Sequence, residues 1–151
     1  RDESIYCFTG YPDKMLNFFE ANEGLLSRMG CIIALGHYEA SELVDIFKLQ
    51  VKQLSMNIDD DALARIEGMI HEGREDADKH FGNGRFTRNI AEGLKRQLSQ
   101  RNRPLLIQAK KDPSLLQDET FVKRLKTITL QDLKTYAHTT NLDTIHRSAP
   151  S

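Results

Sequence analysis

The sequence has no tryptophan, only two cysteines and four prolines among its 151 residues, and no long apolar run. Each scarcity closes off a class of protein. A membrane-spanning helix requires about 20 consecutive apolar residues, and nothing here approaches that. No charged-then-apolar leader precedes a cleavage site either, so the expected location is cytoplasmic and no membrane is an expected partner. Cys7 and Cys31 stand alone inside apolar runs without CxxC spacing, which predicts two buried, reduced, unbridged thiols. The five histidines are scattered without zinc spacing, and no metal site is expected of them. The formal charge of -1 excludes a broad basic coat for nucleic acid, which is therefore not an expected partner.

What is present is enough for one modest core: 39% of the residues are hydrophobic and 28% are charged, with both signs mixed. The chain starts at Arg1 rather than methionine and enters a strand-like run almost at once, so it reads as a piece of something longer. SIYCFTGYP (4 to 12) is rich in β-branched and aromatic residues and ends in a turn signal, which predicts a buried strand. A helix is expected next, with Pro12 at its first position, Asp13 favouring its positive end, and Met15, Phe18 and Phe19 at helical spacing. MGCIIALG (29 to 36) predicts a second buried strand.

From residue 39 the apolar period becomes 3.6 and predicts a four- or five-helix bundle after a hinge near residues 36 to 40. One stripe runs through Leu43, Ile46, Phe47, Val51 and Leu54. A second follows the Asp59-Asp60-Asp61 cap signal through Leu63, Ile66, Met69 and Ile70. Phe86, Ile90, Leu94 and Leu98 form a third. Phe47, Leu54, Leu63, Ile66, Ile90 and Leu94 are expected to share one core. Pro104 and Pro113 predict a linker, Phe121, Val122 and Leu125 a short helix, and Thr129 with Asp132 a capping box for a last helix carrying Leu130, Leu133 and Tyr136. Residues 141 to 151 show no pattern and are expected to be a loose tail.

GYPDKM, NFFEANEGLLSR, HYEASELVDIF, FGNGRFTRN and TITLQDL, in that order and spacing, resemble the C-terminal half of an AAA+ ATPase. The nearest group in character is the one containing red-type Rubisco activases and the sporulation stage V protein K, and the likeness covers roughly residues 4 to 137. It implies a mainly α fold: a remnant of an α/β nucleotide-binding subdomain (two strands, one helix, residues 1–36), then an all-α AAA+ lid helical bundle (residues 39–140). It implies Arg28 as the arginine finger acting in trans, Arg85 as the sensor 2 arginine that binds nucleotide, and Thr9 at the sensor 1 position, for which Tyr11 is an alternative. Glu23 stands where the group often has proline, and Glu39 where it has a serine-like cap.

The chemistry of those residue types fits the implied roles. Phosphoryl transfer is catalysed mostly by positioning and by stabilising charge on the transferred group, and arginine supplies a permanent planar cation. A guanidinium just after a Gly-Asn-Gly turn sits on a rigid helix start whose dipole also favours anions. Arg88, on nearly the same face, is expected to pair with Glu92. Lys95, Arg96, Arg101 and Arg103 are expected to form a solvated face, because no aromatic residues interleave them as in a nucleic-acid groove.

The sequence contains no GxxxxGK[ST] and no apolar strand ending in Asp-Glu. The resemblance therefore implies ATP or ADP with Mg²⁺ in the full-length protein, none bound to this stretch alone, and no hydrolysis by it. Full-length subunits would form a homo-oligomer, a hexameric ring by resemblance, acting on a protein client that the sequence does not identify. The alternative is a non-enzymatic helical protein-interaction module, which ordinary amphipathic helices and near-neutral charge fit equally well.

Overall fold

The computed structural model describes residues 5–75 and 82–140. It divides into two compact units, residues 1–37 and 38–151.

In the first unit, Pro12 opens α1 (Pro12–Glu20), where its missing N–H costs nothing and Asp13 complements the dipole. The helix stops at Ala21. Just beyond it, the Asn22 side-chain amide donates to the Phe18 carbonyl at 2.8 Å, satisfying one of the groups that every helix end leaves open. A single turn, α2 (Glu23–Leu26), follows. Phe8 packs on Phe18 with ring centroids 5.9 Å apart.

The two apolar runs expected as buried strands have no regular structure among the described residues, and they are exposed: Ile5 is 98% accessible and Leu35 90%. Cys7 and Cys31 are unbridged as expected, but exposed rather than buried. The reason is the same for both. A strand is covered only when neighbouring strands pair with its edges and a layer packs on its face, and no described strand lies beside these runs.

The second unit is helical, and mainly α is the class of the whole. Its elements are α3 (Ala40–Gln53), β1 (Asn57–Ile58), α4 (Asp60–Glu75), α5 (Gly84–Lys111), a 3₁₀ turn (Pro113–Gln117), α6 (Glu119–Lys126), β2 (Thr127–Ile128) and α7 (Leu130–Thr140). The apolar stripes meet as the periodicity predicts: Phe47, Ile66, Ile90 and Leu94 lie in one buried cluster with Leu43, Ile70 and Leu133, and Leu54 and Leu63 pack against it partly covered. Each large side chain so buried contributes roughly 1.5–3 kcal/mol. The caps form as well. The Asp59 carboxylate accepts from the Ala62 N–H at 2.7 Å. The Glu42 carboxylate accepts from the Glu39 N–H at 2.8 Å, so α3 begins well ordered without a serine.

Three features differ from expectation. Pro104 lies inside α5, which continues to Lys111, so the stretch up to Pro113 is helix and not linker. Proline removes one ladder bond, but the following Leu-Leu-Ile-Gln-Ala-Lys-Lys run is a sequence of good helix formers that keeps the ladder going. A parallel two-residue bridge joins β1 to β2, with Asn57 opposite Thr127 and Ile58 opposite Ile128, too short to show as a period. Arg101, expected on a solvated face, instead donates to the Asp132 carboxylate at 2.5 Å and to the Arg124 and Thr127 carbonyls at 2.8 and 3.0 Å. Asp132 is only 4% accessible and also accepts from the Thr129 N–H at 2.9 Å, so one carboxylate serves both the capping box and the clamp. Lys95, Arg96 and Arg103 are on the accessible side of α5.

Helices α5 and α7 cross closely at Gly93, where an added methyl group would run into the ring of Tyr136. The Gly93→Ala variant is therefore expected to lose about 1–3 kcal/mol or more, read as a lower urea midpoint with unchanged slope. Tyr136 itself is 6% accessible, and its hydroxyl donates to the Asn89 carbonyl at 3.4 Å. Burial pushes its phenol above the ordinary value of 10.0, with the Arg96 charge opposing. The raised value means that the folded state keeps a proton the unfolded chain releases, so this group works against folding only as pH rises: the phenol contributes nothing unfavourable below its ordinary value, and stability is lost as pH climbs through that value toward the folded one. Denaturation midpoints taken from about pH 9 to pH 11 should fall more steeply for the parent than for Tyr136→Phe.

Candidate functional site

The Gly-Asn-Gly sequence makes a tight turn because Asn83 adopts φ 46°, ψ -126°, a conformation that favours glycine at the second position of a type II′ turn. The turn closes with the Arg85 N–H donating to the Gly82 carbonyl at 2.8 Å, and α5 departs from it directly. Its first turn is pinned from two sides. The Gly84 carbonyl accepts from the Gln50 side-chain amide of α3 at 3.3 Å and from the buried Thr87 hydroxyl at 3.0 Å. On the other side the Phe86 ring lies so close to Gly73 of α4 that a methyl group there would be 2.9 Å from its tip.

On this fixed base Arg85 and Arg88 lie three residues apart, and both are exposed. Neither makes an ion pair with a described residue, so the expected Arg88–Glu92 pair does not form. Both side chains are solvated, and holding two long chains together offsets what an exposed pair gains. The first turn of α5 carries no acidic residue, although acidic residues are favoured there. Two guanidiniums and the positive end of a helix dipole therefore share one end of the bundle. Such an arrangement suits an anion with several acceptor oxygens.

The same turn is tied to the segment that enters the helical unit. The Asn83 side-chain oxygen accepts from the Tyr38 N–H at 3.1 Å, and Arg74 Nε donates to the Tyr38 carbonyl at 2.8 Å. The turn residues were legible in the sequence; a tether across 45 positions was not. Nothing in the local pattern around Tyr38 signals it.

In the first unit, Ser27 and Arg28 follow α2. The Arg28 N–H donates to the Leu25 carbonyl at 3.0 Å, and its exposed guanidinium lies along the backbone of Gly24, 3.4 Å from where a methyl group would sit. Thr9 and Tyr11 are exposed in and beside the irregular run before α1. Arg28 and Arg85 belong to separate units. Among the described residues no group of histidine, cysteine, aspartate or glutamate could hold a metal ion, and no helix is long and apolar enough to cross a membrane. The expected tail at 141–151 lies outside the described residues.

Comparison with known proteins agrees with the helical architecture. The chain is 33% identical over 90 residues to the chloroplastic ribulose bisphosphate carboxylase/oxygenase activase of Cyanidioschyzon merolae, covering 60% of this chain and 29% of that protein. It is 32% identical over 101 residues to Protein CfxQ of Xanthobacter flavus (67% and 31%) and 30% identical over 103 residues to Protein CbbX of Cereibacter sphaeroides (68% and 32%). It spans less than a third of the length of each. The AAA lid domain model matches residues 39–143, which takes in the whole described bundle with its pinned Arg85 turn. The chain belongs to the AAA lid domain family.

Proposed function

We propose that this chain is the C-terminal portion of an AAA+ ATPase that couples ATP binding and hydrolysis to the remodelling of a protein client. The observation that carries the reading is the start of α5: a rigid helix N-terminus with two exposed arginines, no acidic residue in its first turn and no ion pair to a described residue. Like charge against the helix dipole costs about 0.3–1 kcal/mol at such a position. An incoming phosphate would reverse the sign of that term. Arg85 acts as the sensor 2 cation on the bound nucleotide, Arg28 as the finger offered to a neighbouring subunit, and Thr9 as the sensor 1 residue. Mg²⁺ and the phosphate cradle belong to a part of the protein outside this sequence.

A finger that works in trans requires a ring of like subunits, which supports a homo-oligomer, hexameric by resemblance. A relative named as an activase of another enzyme supports a protein client. The test is ATP turnover by the complete protein with Arg85 intact and replaced. Equal turnover would return Arg85 to an ordinary surface cation, and an absence of turnover in the parent as well would favour a non-enzymatic interaction module.

A further inference from the structure

Tyr38 is the first residue of the helical unit, so its backbone sets the direction in which the chain enters that unit. Both of its backbone polar groups are bound by side chains that flank the Arg85 turn: its N–H by Asn83 of the turn itself, and its carbonyl by Arg74 near the end of α4. Asn83 holds a positive φ that glycine would adopt without strain. Gly82 and Gly84 surround it, yet the strained position carries the one side chain of the three that can reach Tyr38. A residue selected for the turn alone would be glycine. What asparagine adds is an acceptor for the entering segment.

We infer that Asn83 and Arg74 are positioning residues that couple the connection entering the lid to the turn carrying Arg85, so that the placement of Arg85 and the direction of the connection change together. This rests on the reading of Arg85 as a nucleotide-binding cation. With the tether intact, a phosphate drawn to Arg85 also fixes Tyr38. Without it, the turn survives but the two move independently.

The experiment uses the complete protein and measures ATP turnover, as kcat and KM, together with the thermal midpoint. Asn83→Gly keeps the turn and removes the acceptor. It is expected to lower kcat/KM by about three- to ten-fold, the range of one hydrogen bond, with the midpoint unchanged or raised. Asn83→Asp retains an acceptor and tolerates positive φ, and is expected to stay near the parent. Arg74→Met, which removes the second tie, should lower kcat/KM in the same range. In an Arg85→Ala background Asn83→Gly should have no further effect, because the residue it positions is gone. Parental kcat/KM in Asn83→Gly alongside a low value in Arg85→Ala would overturn the coupling and leave the reading of Arg85 standing. Parental turnover in Arg85→Ala would overturn both. A midpoint that falls in step with turnover in Asn83→Gly, or an Asn83→Asp as slow as Asn83→Gly, would reduce Asn83 to a folding residue and overturn the inference.

Discussion

Arg28→Ala and Arg85→Ala, each made in the complete protein, are expected to lower ATP turnover by about 10³-fold or more, the range over which an arginine finger acts where it has been isolated. The two variants should part company in mixed rings. On the proposed roles, subunits carrying Arg28→Ala would keep an intact pocket and lack only what a neighbour supplies. Mixing them with subunits dead in their own phosphate loop should restore hydrolysis, because the dead subunits still present Arg28. On the same proposal, subunits carrying Arg85→Ala would be defective at their own nucleotide, and the same mixing should restore none. Equal rescue in the two mixtures would remove the division of roles. The structure contributes two observations to this expectation: Arg85 is exposed on a pinned helix start, and Arg28 is exposed beside Gly24.

The second large effect concerns stability. Asp132→Ala is expected to cost about 3 kcal/mol, toward the lower end for breaking a buried ion pair. The moderation comes from Arg101, whose side chain is 27% accessible and keeps its carbonyl partners. The loss has two parts. The guanidinium is left without its counter-charge, and the Thr129 N–H at the start of α7 loses its cap. Asp132→Asn retains an oxygen for the cap and should fall between the parent and Asp132→Ala in urea midpoint. A cycle with Arg101→Met separates the parts: a double variant no less stable than Asp132→Ala alone assigns most of the loss to the stranded cation, and fully additive losses would show that the pair contributes nothing as a pair.

The helical unit was legible because its signals are local and repeated. Leu43, Phe47 and Val51 recur at one helical face, and Asp59 and Asp132 make cap contacts with backbone three positions away. Arg101 escapes a local reading for the opposite reason. Its partners come from residues 23 to 31 positions further on, and a basic residue among Lys95, Arg96 and Arg103 carries no mark of which one turns inward. At Pro104 a local rule about proline is overruled by the helix on both sides of it. The apolar runs around Cys7 and Cys31 have the composition of strands, but pairing is a property of neighbours, and composition cannot supply them. For the candidate site, the turn and its arginine were visible as a motif, whereas the ties to Tyr38 depend on the packed arrangement of α3, α4 and α5.

Helix α5 has the Arg85 turn at one end and, further along, the Arg101 clamp on α7. At about 1.5 Å rise per residue the stretch between those two arginines is about 24 Å long and free of proline, so it behaves as a stiff rod. A rod is a lever. A tilt of roughly 10° about the first turn would carry the Arg101 end through about 4 Å on that geometry. Because Arg101 grips Asp132 and the carbonyls of residues 124 and 127, the end of α6 and the start of α7 would travel with it. A small displacement at the Arg85 turn would thus become a movement of several ångströms at the Arg101 clamp, without any helix having to unwind.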